Sequence, residues 1–239
     1  MQPNKDEITK FLKLPFQFNA TKLTTDLERM LSKPWIAHFN TNGYSGTWNS
    51  LPLYAPNGDS KNIFALSNSE PILPTEELKD CPYLKEVIQQ FECPLLSVRL
   101  LRLAVGAKIK PHRDYKLGYE DNCFRLHVPI KTNPGVAFTL DDTNLEMLPG
   151  ECWYTNVNYV HSVSNLGEED RIHLVIDGER NAWSDKLFFS LAPEESFVAE
   201  PKPKASNQEI LRTIEELERI NTPASQQFIL DLRKELKES

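Results

Sequence analysis

The sequence predicts a mainly β protein, a sandwich or barrel of jelly-roll type with helices flanking it at both ends. Three observations predict it. Between residues 94 and 177, short apolar and β-branched runs recur at regular spacing, separated by turn residues. Before and after that stretch, apolar residues recur at helical spacing instead. Polar residues suited to metal ligation lie on and between the late β runs, where a jelly roll gathers side chains at one open end.

The elements follow in chain order. Leu23, Leu27, Met30 and Leu31 place a helix over residues 21–32, with Pro34 just beyond it as a stop. A second helix begins near Pro82 and buries Leu84, Val87, Ile88 and Phe91; proline costs little there because its missing N–H would be unpaired in the first turn. The β runs are residues 96–105, 107–110, 124–130, 136–140, 145–148, 152–156 and 171–177. Their turns carry Gly106, Gly118, Asn133-Pro134-Gly135, Asp141-Asp142, Pro149-Gly150 and Gly167. Residues 192–205 hold Pro193, Pro201 and Pro203 and read as a linker or strap. Ser206-Asn207-Gln208-Glu209 then matches a capping box, opening a helix with Ile210, Leu211, Ile214 and Leu217 on one stripe. Phe228, Ile229, Leu232 and Leu236 suggest a second short helix. The expected organisation is a domain over 1–192 with its β core at about 94–177, a linker over 193–205 and a helical extension over 206–239. The extension is expected to pack on its own domain; a homodimer surface is the alternative.

The chain has 239 residues, a formal charge of −7 and a pI near 5.4. That balance argues against general nucleic-acid binding, which needs a basic footprint. The four cysteines, Cys81, Cys93, Cys123 and Cys152, form no C-x-x-C pair, so free thiols in a reducing compartment are expected. The N-terminus carries no signal-peptide core and no apolar stretch reaches the length of a membrane span, which reads as a cytoplasmic protein.

His112 and Asp114, in Lys110-Pro111-His112-Arg113-Asp114-Tyr115, combine with His161 into two imidazoles and a carboxylate. This is the ligand set that holds non-haem Fe(II) on one face and leaves the other open. His112 and Asp114 are expected on a loop between strands. Arg171 follows His161 by ten positions (171 − 161) and starts a strand, where a cation could hold the far carboxylate of a metal-bound dicarboxylate. A structural ion pair with Glu168, Glu169, Asp170 or a neighbouring strand is its bland alternative. Alternation puts Arg125 and His127 on one face of run 124–130, with Phe124, Leu126, Val128 and Ile130 on the other, suited to sandwich packing. His173 shares a face with Arg171 and reads as a packed histidine. His38 reads as an ordinary satisfied polar residue.

Residues 14–183 resemble the aspartyl/asparaginyl β-hydroxylase family. The pieces that carry the resemblance are Leu14-Pro15-Phe16, Trp35-Ile36-Ala37-His38-Phe39-Asn40, Tyr44-Ser45-Gly46-Thr47-Trp48, Lys110 to Tyr115, Arg125-Leu126-His127-Val128-Pro129-Ile130, Pro149-Gly150-Glu151-Cys152-Trp153, His161-Ser162-Val163 and the strand from Arg171 to Asp177. The resemblance implies a double-stranded β-helix and an Fe(II)- and 2-oxoglutarate-dependent dioxygenase. It implies His112, Asp114 and His161 as iron ligands and Arg171 as the partner of the 2-oxoglutarate side-chain carboxylate. Arg125 and His127 match the motif that contacts co-substrate near the metal. Asp114 fills a position that some members lack, which makes the chain similar to the bacterial branch with proline-hydroxylase-like enzymes. Tyr44 and Trp48 border the pocket or pack in the core. The implied reaction consumes 2-oxoglutarate and O₂, releases succinate and hydroxylates a C–H bond of an amino acid or an aspartyl/asparaginyl-type peptide. A metal-dependent hydrolase and a non-catalytic cupin-like binding protein are the rival readings; the first leaves Arg171, Arg125 and His127 without a shared task.

Overall fold

The computed structural model describes residues 8–64 and 70–198, together with Leu211, Ile214, Glu218, Ile229, Arg233 and Leu236. The elements are β1 (Phe11–Gln17), α1 (Ala20–Met30), β2 (Ile36–Ala37), β3 (Tyr44–Ser45), β4 (Trp48–Pro56), β5 (Ile72–Pro74), α2 (Pro82–Ile88), β6 (Leu95–Leu103), β7 (Lys108–His112), β8 (Cys123–Lys131), β9 (Val136–Leu140), β10 (Thr143–Asn144), β11 (Glu151–Thr155), β12 (His161–Asn165), β13 (Arg171–Glu179) and α3 (Ala182–Phe189). The protein is mainly β. One sheet runs β1-β11-β8-β13-β6-β4-β2 with β5 added on β4; the other runs β10-β9-β12-β7-β3. Every pairing among the described residues is antiparallel. From β6 onward the chain alternates between the sheets, with only the β9–β10 hairpin staying in the smaller one. The crossing from β6 to β7 turns through Gly106 at φ +77°, a left-handed backbone that a Cβ disfavours.

The larger sheet has two unlike faces. Val98, Leu100, Leu126, Val128, Leu174 and Ile176 form one cluster with Leu23, Leu27 and Met30 of α1, Leu84, Val87 and Ile88 of α2, and Phe188 of α3. The apolar side of β8 therefore packs on helices, not between sheets as expected. The helices need that sheet, since each buries only one stripe and is too short to be stable alone. Asn19 caps α1 by accepting from the Lys22 amide at 3.0 Å. Asp26 of α1, 2% exposed, caps the neighbouring helix by accepting from the Leu84 amide at 2.8 Å. Between the sheets, Trp48, Leu103, Ile109, Phe138, Leu140 and Val163 form a second, smaller cluster.

Most β runs appear within two residues of their expected bounds. Residues 145–148 are the exception: they form no strand, although Leu145 and Met147 are buried in the inter-sheet cluster, and the hairpin strand is Thr143–Asn144 instead. The helix expected over 21–32 runs Ala20–Met30. The helices expected in 206–239 lie outside the described residues except at six positions, which are helical; there Ile214, Ile229 and Leu236 cluster and Arg233 pairs with Glu218 at 2.9 Å. The chain divides into two compact units, Met1–Ala199 and Glu200–Ser239. All four cysteines are free thiols. Among the described residues no helix is long and apolar enough to cross a membrane.

Candidate metal centre

His112 ends β7 and His161 begins β12, and the ladder between these strands sets the two residues directly opposite each other. The imidazole centroids lie 4.2 Å apart. Each ring is tethered through Nδ1, which donates to a backbone carbonyl: Lys110 at 2.8 Å for His112 and Tyr159 at 3.1 Å for His161. That fixes the tautomer and leaves Nε2 as the free lone pair, the arrangement that metal-binding histidines use. Asp114 follows two residues on, its amide held by the Val157 carbonyl at 2.9 Å. Candidate ligand atoms of His112, Asp114 and His161 all lie within 4.8 Å of one another. His112 thus sits on a strand end, not in a loop.

Electrostatics keep Asp114 and His161 ready for a cation. Burial works against ionising Asp114, but Arg125 and the two imidazoles outweigh it and hold the carboxyl down at about 2. Burial, reinforced by His112, lowers His161 to about 4, so its ring is neutral near pH 7. Arg125 is the hub behind the carboxylate. It donates to Asp114 through Nη1 and to Asp177 through Nε at 2.7 Å and Nη2 at 3.1 Å. Asp177, wholly buried, also accepts from Arg99 at 2.7 Å and from Ser97 at 2.9 Å. Burial opposes the Arg125 charge, yet the two aspartates raise its pKa above the usual guanidinium value.

Further along β13 the picture changes. Arg171 is 2% exposed. The single hydrogen-bond partner of its side chain among the described residues is a neutral imidazole, His173 Nδ1, which accepts from Nη2 at 2.8 Å. Nε has no partner, and burial lowers the group to about 9. The ion pair considered for it is absent among the described residues: Asp170 takes Arg102 and Glu169 takes Lys131. The Phe138 ring packs against both Arg171, whose Cζ is 5.7 Å from the ring centre, and His161, stacked at 6.3 Å. His127 is 4% exposed and neither ring nitrogen has a partner; burial, with Arg171 next, pushes its pKa well below the usual value.

His112, Asp114 and His161 line one pocket of about 420 Å³. Arg125, His127 and Arg171, anticipated from the sequence, all reach it; Arg99, His38 and Phe138 do so unanticipated. His38 stacks on Trp48 at 3.5 Å and on Phe39 at 4.4 Å, and burial lowers it to about 4. Trp48 serves both core and pocket, whereas Tyr44 packs edge-on to Trp48 at 5.6 Å behind the wall. Alternation could have found Asp177, which shares the inward face of β13 with Arg171 and His173.

The donor set fits iron. Two imidazoles and one carboxylate are the donor set that can hold Fe(II) on one face and leave room for a chelating co-substrate and O₂. The buried, uncompensated Arg171 and the orphaned nitrogens of His127 fit 2-oxoglutarate, since such groups are costly without an anionic or polar partner.

L-proline cis-3-hydroxylase 1 of Streptomyces sp is 29% identical over 206 residues, 81% of this chain and 70% of that protein. L-proline cis-4-hydroxylase of Rhizobium meliloti (strain 1021) is 31% identical over 177 residues, 72% of this chain and 61% of that protein. Among solved structures, an oxidoreductase of the 2OG-Fe(II) oxygenase family from Burkholderia pseudomallei aligns with TM-score 0.48 and 12% identity over 72% of this chain and 88% of that one. The family model for Aspartyl/Asparaginyl beta-hydroxylase matches residues 17–181, and the chain belongs to that family of hydroxylases.

Proposed function

We propose that this protein hydroxylates a C–H bond of a free amino acid, converting 2-oxoglutarate and O₂ to succinate and CO₂. The observation that carries the reading is one pocket holding both a two-histidine, one-carboxylate cluster and a buried arginine without a counter-ion. The names of the two proline hydroxylases support a free amino acid over a peptide. The alternation of strands between sheets supports the reading of a double-stranded β-helix.

Bound iron supplies the oxidising chemistry, for which no side chain is equipped. His112, Asp114 and His161 would hold it. Arg125 aims the Asp114 carboxylate, and Asp177 fixes Arg125 in turn. Arg171 would take the distal carboxylate of 2-oxoglutarate through charge-assisted hydrogen bonds. Phe138, Trp48 and His38 restrict water around the reacting centre.

The test is succinate formation with Fe(II), 2-oxoglutarate and a panel of free amino acids, L-proline included, against short aspartyl and asparaginyl peptides. Amino-acid-dependent turnover, lost in His112→Ala and His161→Ala, is expected. Turnover stimulated by peptides alone would overturn the substrate assignment.

A further inference from the structure

A buried guanidinium is normally held by a carboxylate, as Asp177 holds Arg99 and Arg125. At Arg171 an imidazole takes that place. His173 lies two residues along β13, so both side chains leave the same face of the strand. Nδ1 of His173 sits 2.8 Å from Arg171 Nη2. Arginine only donates, so this nitrogen is the unprotonated one and the ring proton lies on Nε2. The imidazole is itself immobilised: it is 2% exposed and the His127 ring packs edge-on at 5.7 Å. Phe138 covers the guanidinium from its face. The side chain is thus held by one in-plane acceptor and one aromatic face, and its charge is left uncancelled.

We propose that His173 is a positioning residue which aims Arg171 at the distal carboxylate of the co-substrate while leaving its positive charge free for that carboxylate. The inference rests on the reading of Arg171 given under Proposed function. A neutral acceptor does both jobs. An acidic residue would aim the guanidinium equally well but close an internal ion pair, and the co-substrate would have to displace it. The sign of the charge at position 173 therefore matters as well as its hydrogen bond.

The experiment measures 2-oxoglutarate affinity by anaerobic calorimetry on the Mn(II)-loaded protein, and Tm without co-substrate. The variants are His173→Gln, His173→Glu and His173→Phe, beside Arg171→Met. His173→Glu should bind at least ~30-fold more weakly, within the range for disrupting a buried charge contact. Its Tm should be unchanged or raised, because Arg171 gains a counter-ion. His173→Gln should stay within about fivefold of wild type, because it keeps a neutral acceptor. His173→Phe should fall between them. If the glutamate variant does not fold, His173→Asp replaces it, and ¹⁵N spectra of the wild-type imidazole provide a second measurement. A neutral ring protonated at Nε2 is expected there; a protonated Nδ1 would overturn the proposal. So would His173→Phe binding as well as wild type, or His173→Glu binding as well as His173→Gln. If wild type itself fails to bind 2-oxoglutarate, the reading of the site falls and this inference with it. If wild type binds and Arg171→Met does not, while every His173 variant does, only this inference falls.

Discussion

Arg125 and Arg171 point into the same pocket from adjacent strands, and both are almost wholly buried. Arg125 is saturated by two carboxylates; Arg171 touches none. Burial opposes both charges. It is overcome at Arg125, whose pKa is raised, and prevails at Arg171, whose pKa drops to about 9. The difference separates two uses of one side chain. A guanidinium whose charge is spent inside the protein is scaffolding; one left without a counter-ion is open to an incoming anion.

The largest expected effect breaks the scaffold. Asp177→Ala strips the shared carboxylate from Arg99 and Arg125 and should cost ~3–5 kcal/mol in stability, the price of leaving buried charge unpaired. Equilibrium urea unfolding measures it, and a loss under ~1 kcal/mol would mean that the network is not structural.

Arg171→Met should act in the opposite sense. Replacing an uncompensated buried charge by an apolar chain of similar size is neutral or stabilising by up to ~4 kcal/mol, while 2-oxoglutarate binding weakens by ~2–5 kcal/mol. Unfolding and anaerobic titration on the same preparation test both halves. A destabilised variant that binds normally would reverse the comparison.

The histidines extend it to pH. His127 and His173 lie beside Arg171, and burial lowers both well below the usual 6.5. The unfolded chain therefore takes up protons first as pH falls. Stability from these neutral rings is complete above about pH 6.5 and declines below it, by up to ~1.4 kcal/mol per pH unit for each. Unfolding of the metal-free protein at pH 7 and pH 5 should show the decline. The smallest effect belongs to the surface: Lys79→Ala breaks a pair whose side chains are 70% and 75% exposed and should shift stability by under ~0.5 kcal/mol.

Much of this was legible in the sequence because period-2 alternation assigns faces without knowledge of neighbours. Arg125 and His127 on one side of β8, and Arg171 with His173 on one side of β13, follow from that rule alone. What alternation cannot supply is register. The Asp177–Arg125 and Asp177–Ser97 juxtapositions exist because β13 pairs β8 and β6 at those positions. The strand β4 was obscured by Pro52 and Pro56, which weaken any strand reading; its ladder with β6 shifts register between Pro52 and Tyr54. The strand β12, His161–Asn165, has too few apolar residues to announce itself and is specified by its neighbours β7 and β9. Leu145 and Met147 show the converse, apolar residues that fill the core from a segment outside the ladder.

The facing of His112 and His161 across the β7–β12 ladder has a mechanical consequence. An ion held by both imidazoles would be a clasp across two strands whose own connection is a row of backbone hydrogen bonds. A slip of one residue in that row would turn one imidazole to the opposite side of the sheet and undo the clasp. Metal occupancy should therefore slow amide exchange at Ile109, Val163 and their ladder neighbours more than in the helix-backed strands, making the ion a lock on strand alignment as well as a reagent.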